Sequence, residues 1–316
     1  MEPVNRCSVI IRAYNEENHI RKLLQGILAQ TVKDLEIILV DSGSTDKTVE
    51  IAAEFPVKVI HINPEDFTFG YSLNRGVEAC GNEFVVIASA HVYPVYPDWL
   101  ETLLKPFEDP KTALTYGKQR GNETSKFSEH RLFRQWFPDG KPAPQDHPFC
   151  NNANAAIRRS LWLQNPYDES LPGLEDLDWA YRLMKLDYSI QYVPDAEIIH
   201  VHQETPTGIY RRYLREGMAF KRIFPNEHFK LWDFLRLSTT NITTDWQAAF
   251  RGKKLTEHWK DIIWFRVMQF WGTYQGYVRT GPLTWQLKQR FYYPNIGEHR
   301  DTKVKQRKVE PIQYNK

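Results

Sequence analysis

Four polar stretches of this 316-residue chain carry side chains able to do chemistry. Ser89-Ala90-His91 closes the apolar run Phe84 to Ala88. An imidazole there can move a proton or ligate a transition metal. Glu175-Asp176 follows Pro172-Gly173-Leu174, and the acidic run continues to Asp178 with Arg182 beyond. Two adjacent carboxyls repel, which raises the pKa of one of them, and Arg182 would lower it again. The alternative is a helix N-terminus enriched in acids to suit its dipole. Tyr14-Asn15-Glu16 and Asp41-Ser42-Gly43-Ser44 each follow an apolar run. A carboxylate at a strand end, with a helix N-terminus opposite, can read a base or ribose and leave room for a diphosphate. A plain turn with a helix cap would look the same.

These groups need a scaffold that brings strand ends together. Cys7–Arg12, Leu35–Val40, Val57–Ile62 and Phe84–Ala88 read as strands buried on both faces. Ile20, Leu23, Leu24, Ile27 and Leu28 fall on one face of an amphipathic helix. Ser44 or Thr45 is expected to cap a helix running through Ala53, and Asp98-x-x-Glu101 reads as a capping box. Strands alternating with helices imply parallel pairing and right-handed crossovers. The polar strand ends then sit at one edge of the sheet. Residues 118–148, rich in charge, Pro and aromatics, read as a long loop that can border a second substrate.

The net charge of +2 hides an asymmetry: residues 1–204 carry −10 and residues 205–316 carry +12. The basic part suits a polyanion or an anionic membrane face. It also holds six of the ten Trp: 232, 246, 259, 264, 271 and 285. Trp mixed with Lys and Arg on helices suits a membrane interface, and it equally suits a helical subdomain with a solvated basic face. Ile209, Tyr213, Phe220 and Phe224 share a helix face. Trp259, Ile263, Phe270, Tyr274 and Tyr277 form another stripe, widened by Ile262, Phe265 and Trp271. Residues 300–316 read as a mobile basic tail. Cys7, Cys80 and Cys150 form neither a disulfide framework nor a zinc pattern. No leader sequence or membrane-length apolar run is visible. The expected location is therefore cytoplasmic, with peripheral contact on the inner membrane face open.

Ser8-Val-Ile-Ile-Arg-Ala-Tyr-Asn-Glu-Glu, followed by Leu39-Val40-Asp41-Ser42-Gly43-Ser44-Thr45-Asp46-Lys47-Thr48, resembles the start of a family 2 glycosyltransferase. The resemblance covers roughly residues 6–220. It implies an α/β chain with the GT-A fold: a mostly parallel sheet flanked by helices over residues 1–225, and a basic, aromatic-rich helical extension and tail over 226–316. It further implies a nucleotide-sugar donor and inversion at the anomeric carbon. Donor contacts are expected from Ala13, Tyr14, Asn15, Glu16, Asp41 and Ser42, and from Ser89, Ala90 and His91. Phe69 to Gly76 resembles the family's helix start near the donor, adding Asn74 and Arg75. Arg75 can grip a diphosphate bidentately. Cys150 to Arg159 resembles the segment passing under the donor sugar, adding Asn154. Glu175-Asp176 resembles the motif whose aspartate serves as general base, with Glu175 beside it.

Where the family usually ends its fourth strand in Asp-x-Asp, this chain has Ser89-Ala90-His91. Two metal-binding carboxylates are gone. Two readings stand: the family's usual divalent metal, Mn²⁺ or Mg²⁺, with an imidazole site favouring Mn²⁺, or fixed cations such as Arg75 without any metal. His91 is one candidate ligand, and a His near position 200 completes the metal site in several relatives. His200 is taken rather than His202, on the expectation that only one of the two faces the site.

Two classes of function stand at this stage. One is an inverting glycosyltransferase acting on a hydroxyl of a polysaccharide, glycolipid or other lipid-linked acceptor. The other is an inactive GT-A binding protein that holds nucleotide or glycan without transfer. A sugar-1-phosphate nucleotidyltransferase fits poorly, because residues 11–25 lack the Gly-rich basic loop. No nucleic-acid recognition module is present.

Overall fold

The N-terminal apolar runs form strands because helices cover them on both sides. β1 (Arg6–Ala13), β2 (Asp34–Asp41), β3 (Val57–His61) and β4 (Phe84–Ser89) pair in parallel. The computed structural model describes residues 6–140, 143–202, 205–279 and 309–314. Side chains of β1 alternate between two cores, as a two-residue period requires. Cys7, Val9 and Ile11 pack with α1 (Ile20–Leu28) and α4 (Trp99–Leu104). Ile10 faces the other way, toward α3 (Phe69–Glu78), α6 (Arg159–Gln164) and α7 (Glu175–Met184).

The complete sheet runs β3-β2-β1-β4-β8-β6-β9-β5, with β7 (Ala143–Pro144) paired to β9. β8 (Asn154–Arg158) is antiparallel to β4, and β6 (Thr112–Arg120) is antiparallel to β8. β9 (Ser189–His200) is parallel to β6, whereas β5 (Val92–Pro94) is antiparallel to β9. The uniform parallel pairing therefore belongs to the first four strands. Register sets their ends level: Ala13 lies opposite Asp41, Asp41 opposite His61, and Arg12 opposite Ser89.

Three local expectations are corrected. α2 spans Thr48–Ala52 and has no side-chain cap; Ser44 and Thr45 face Asn15 instead. Asp98 makes no side-chain cap to α4, and Glu101 accepts from Thr31. Residues 118–148 are not one long loop, since α5 (Phe127–Trp136) forms inside them.

The C-terminal part is a helical layer of α8 (Pro206–Ile223), α9 (Leu231–Arg251) and α10 (Leu255–Val278). The buried face of α10 is Ile262, Phe265, Arg266, Gln269, Gly272 and Gly276, rotated from the aromatic stripe expected from the sequence. Glycine explains the rotation. A Cβ on Gly276 would stand 2.5 Å from the Leu214 carbonyl oxygen, and one on Gly217 2.8 Å from that of Thr273. α8 and α10 thus meet backbone to backbone, and Trp259 is left exposed. Trp285 lies outside the described residues. The tail is also corrected in part: in 309–314, Ile312 donates to the Val95 carbonyl and Tyr314 to that of Pro94. Residues 300–308 and 315–316 lie outside the described residues.

Asp245 fastens the layer to the sheet domain. Its carboxylate, fully buried on α9, accepts from Ser128 Oγ and Arg131 Nε of α5 and from Arg266 Nε of α10. Removing one partner of such a buried pair leaves an uncompensated charge, a loss of about 3–5 kcal/mol. Asp245→Ala should lower the urea unfolding free energy by that amount. A loss within about 0.5 kcal/mol, typical of surface sites, would show that Asp245 does not hold the layer.

Candidate active site

The cavity opens where β1, β4 and β9 end, beneath α5, α7 and α8, with a volume of about 270 Å³. Its lining includes Arg12, Ser89, His91, Asn152, Glu175, Asp176, His200 and His202.

One wall is acidic. Leu174 adopts a left-handed conformation, φ 56°, which turns the chain sharply into α7 and leaves Glu175 and Asp176 in its first turn. Asp176 is only 8% exposed. Its Oδ2 accepts from the Asn152 amide at 2.9 Å and its Oδ1 from the Leu177 amide at 2.8 Å. Burial, then the Glu175 charge, raises its pKa to about 7; the two amides and Arg12 pull the other way. Glu175 accepts from Asn152 Nδ2 and lies 3.6 Å from Arg12 Nη1. Arg182 has no part in this, because it binds Asp178 and the Pro166 carbonyl.

Three imidazoles also line the cavity. His91 stacks on His200 with centroids 5.1 Å apart, and His202 lies 4.0 Å from His200. Nδ1 of His91 meets Glu16 at 2.7 Å, that of His200 meets Gln119 at 2.8 Å, and that of His202 meets Glu129 at 2.7 Å. At His91 and His200 the oxygen partner at Nδ1 fixes the proton there and leaves Nε2 as the ligand nitrogen, whereas Nδ1 of His202 faces both Glu129 and the Arg212 donor. Nε2 of His200, in a residue 5% exposed, has no hydrogen-bond partner among the described residues. One nitrogen from each ring lies within 4.8 Å of the others. Burial, followed by neighbouring positive or imidazole groups, pushes His200 and His202 well below the ordinary histidine pKa, so both are neutral. The residues therefore fit a borderline transition metal and suit Mg²⁺ poorly. His202 joins His200 against the expectation that only one of them would, because residues two apart on an extended chain point to the same side; their ring centroids are 4.0 Å apart.

Guanidinium groups fill the space between. Arg12 and Arg215 each lie over the Phe69 ring, at 4.5 and 4.7 Å. Arg12 Nε and Nη1 are buried with no hydrogen-bond partner among the described residues. Arg212 reaches Glu129 and His202. Sequence reading missed Arg12, Gln119, Glu129, Asn152, Arg212 and Arg215. The strand-end position of Arg12 was the available signal; α5 and α8 gave none, because only the fold aims them here.

The donor-loop candidates divide. Asn15, at φ 54°, donates from its amide to Ser44 Oγ and accepts from the Thr45 amide, so the two loops interlock. Glu16 links them to His91. Ala13 is buried, its carbonyl accepting from Ser42, and Tyr14 is half-buried beside it. Asp41, 2% exposed, accepts from the Gly43 and Ser44 amides and meets His61, so it shapes its own loop. Ser89 and His91 line the cavity, while Ala90 packs in the core.

Three residues stand elsewhere. Asn74 bonds Tyr167, Glu169 and Trp162, bracing a distant turn. Arg75 pairs with Glu78 along the surface of α3 and does not line the cavity. Asn154 is buried between Trp99 Nε1 and the carbonyls of Lys118 and Ala196.

Residues 8–163 match the model of glycosyl transferase family 2. Putative glycosyltransferase EpsH of Bacillus subtilis (strain 168) is 34% identical over 282 residues, covering 83% of this chain and 74% of that one. O-antigen chain rhamnosyltransferase RfbN of Salmonella typhimurium is 24% identical over 293 residues, covering 81% and 91%. Among solved structures, mannosyltransferase PcManGT from Pyrobaculum calidifontis, in complex with GDP-Man and Mn²⁺, superposes with a TM-score of 0.58 at 18% identity, covering 92% and 89%. The fold is thus that of the GT-A glycosyltransferases. The chain belongs to glycosyl transferase family 2 and is a glycosyltransferase.

Proposed function

We propose that the protein transfers one sugar from a nucleotide-diphosphate donor to a hydroxyl of a polysaccharide or glycolipid acceptor, with inversion at the anomeric carbon. The observation that carries this reading is the buried Asp176 carboxyl, anchored by two amides on the cavity wall with a pKa near neutrality. Asp176 accepts the acceptor's hydroxyl proton as that oxygen forms its bond to the anomeric carbon. The bond from that carbon to the diphosphate oxygen breaks on the opposite face, and the electron pair leaves with the nucleotide. Glu175 raises the basicity of Asp176, and Arg12 pairs with Glu175 at 3.6 Å. The interlocked loops at Asn15 and Ser44 cradle the nucleotide, with Asp41 acting through the loop it shapes. The name of the Salmonella relative makes a deoxyhexose donor and a growing glycan the first pair to assay.

His91, His200 and His202 would hold the metal, which when bound supplies positive charge to the departing diphosphate. Arg12 and Arg215 add fixed positive charge from the protein itself.

Asp176→Asn should keep the fold and donor affinity and lose transfer by roughly a hundredfold or more. Near-normal turnover would remove Asp176 from the mechanism. Calorimetry on the donor-free protein should register Mn²⁺ or Co²⁺ binding stronger than Mg²⁺, abolished in His200→Ala. Binding unchanged in that variant, together with full transfer in chelator, would leave the arginines as the source of positive charge.

A further inference from the structure

The outer face of α9 is an exposed surface that the transfer reaction does not use. Positions 232, 236, 239, 243, 247 and 250 are all exposed and recur at helical spacing, so they share one side. That side extends about 27 Å at the helical rise. A large apolar ring stands at each end: Trp232 is 70% exposed and Phe250 72%. Leu231 and Leu235 flank the first, and exposed Trp259 lies at the second end, its carbonyl accepting from Trp246 Nε1.

The threonines between the rings are less polar than their formula suggests. Thr239 Oγ1 donates to the Leu235 carbonyl and Thr243 Oγ1 to that of Thr239. Back-bonded hydroxyls of this kind direct their protons into the helix. Lys230 and Arg236 border one ring; Arg251, Lys253 and Lys254 border the other. Of the acids of this stretch, Asp233 offsets only Arg236, with which it pairs, and Asp245 is buried against Arg131 and Arg266, so Lys230, Arg251, Lys253 and Lys254 leave the face cationic.

We infer that α9 lies flat on an anionic lipid bilayer, with Trp232 and Phe250 in the headgroup region and the flanking cations on lipid phosphates. Exposed rings with basic flanks match the two attractions that hold interfacial helices. A soluble glycan would satisfy the cations and can stack on single rings, but Leu231 and Leu235 beside Trp232 add aliphatic area that a lipid interface covers and a sugar does not. No helix among the described residues is long and apolar enough to cross a membrane, so the contact is peripheral. α8 packs on α10 and lines the cavity, so adsorption through this helical layer would orient the active site relative to the bilayer. The inference is independent of the catalytic assignments.

The test is cosedimentation of the full chain with vesicles of phosphatidylcholine, with or without phosphatidylglycerol, at low and high salt. Binding should require the anionic lipid and weaken with salt. The double variant Trp232→Ala/Phe250→Ala should bind roughly tenfold more weakly. The triple variant Arg236→Gln/Lys253→Gln/Lys254→Gln should bind roughly a hundredfold more weakly. Because all five side chains are exposed, thermal midpoints should stay close to that of the parent. Equal binding by parent and both variants would overturn the inference, as would equal binding to neutral vesicles. Capture by a soluble acidic polysaccharide without vesicle binding would assign the face to glycan. Self-association lost in the double variant, again without vesicle binding, would assign it to a second copy of the chain.

Discussion

Two carboxyl groups kept side by side and out of water set the terms for the rest of the cavity. The charge of Glu175 and burial both discourage Asp176 from ionising. The surrounding structure supplies what makes the pair tolerable: the Asn152 amide and side chain, the Leu177 amide, and Arg12 at 3.6 Å. Each of those depends on a longer-range feature. Arg12 stands at the carboxyl end of β1, opposite Ser89 of β4. Asn152 precedes β8, and Leu174 takes a left-handed turn so that α7 begins at the carboxylates. The arrangement carries a stability cost with a definite sign. Asp176 has its pKa raised from 3.8 to about 7. The fold is therefore favoured with this group protonated, and that contribution is lost as pH rises through about 7.

Facing this pair, positive charge is arranged without the carboxylates that resemblance to the family led one to expect. His200 and His202 are neutral, and the Nδ1 groups of the three imidazoles are directed by Glu16, Gln119 and Glu129. Glu16 belongs to the β1–β2 edge and Glu129 to α5. One imidazole cluster thus joins the loop between β1 and α1, the sheet and α5. Arg12 and Arg215 clamp Phe69 from two elements that meet only in the folded chain.

Much of the sheet was legible because strands buried on both faces read as continuous apolar runs, as Cys7–Arg12 and Phe84–Ala88 do. The acidic pair and His91 were visible for a related reason: they stand where such runs or a Gly-Leu turn end. Legibility failed where a role depends on a distant partner. Asn74 and Asn154 looked like donor contacts, but Trp162 and Trp99 claim them from 88 and 55 residues away. Arg75 sits one helical turn from Glu78, and the local ion pair holds it on the surface. The buried face of α10 was misread because Gly272 and Gly276 contribute close approach rather than apolar area. His202 was set aside by misapplying strand alternation, which puts residues two apart, such as His200 and His202, on the same side.

The account rests on Asp176 being a carboxyl poised to accept a proton near neutral pH. A ¹³C NMR titration of aspartate-labelled protein, with the resonance assigned by its loss in Asp176→Asn, measures this directly. The midpoint should lie near 7 and move down in Glu175→Gln, and kcat/KM should fall as pH drops below that midpoint, because only the ionised form accepts the proton. A midpoint in the ordinary carboxylate range, unmoved by Glu175→Gln, would contradict it.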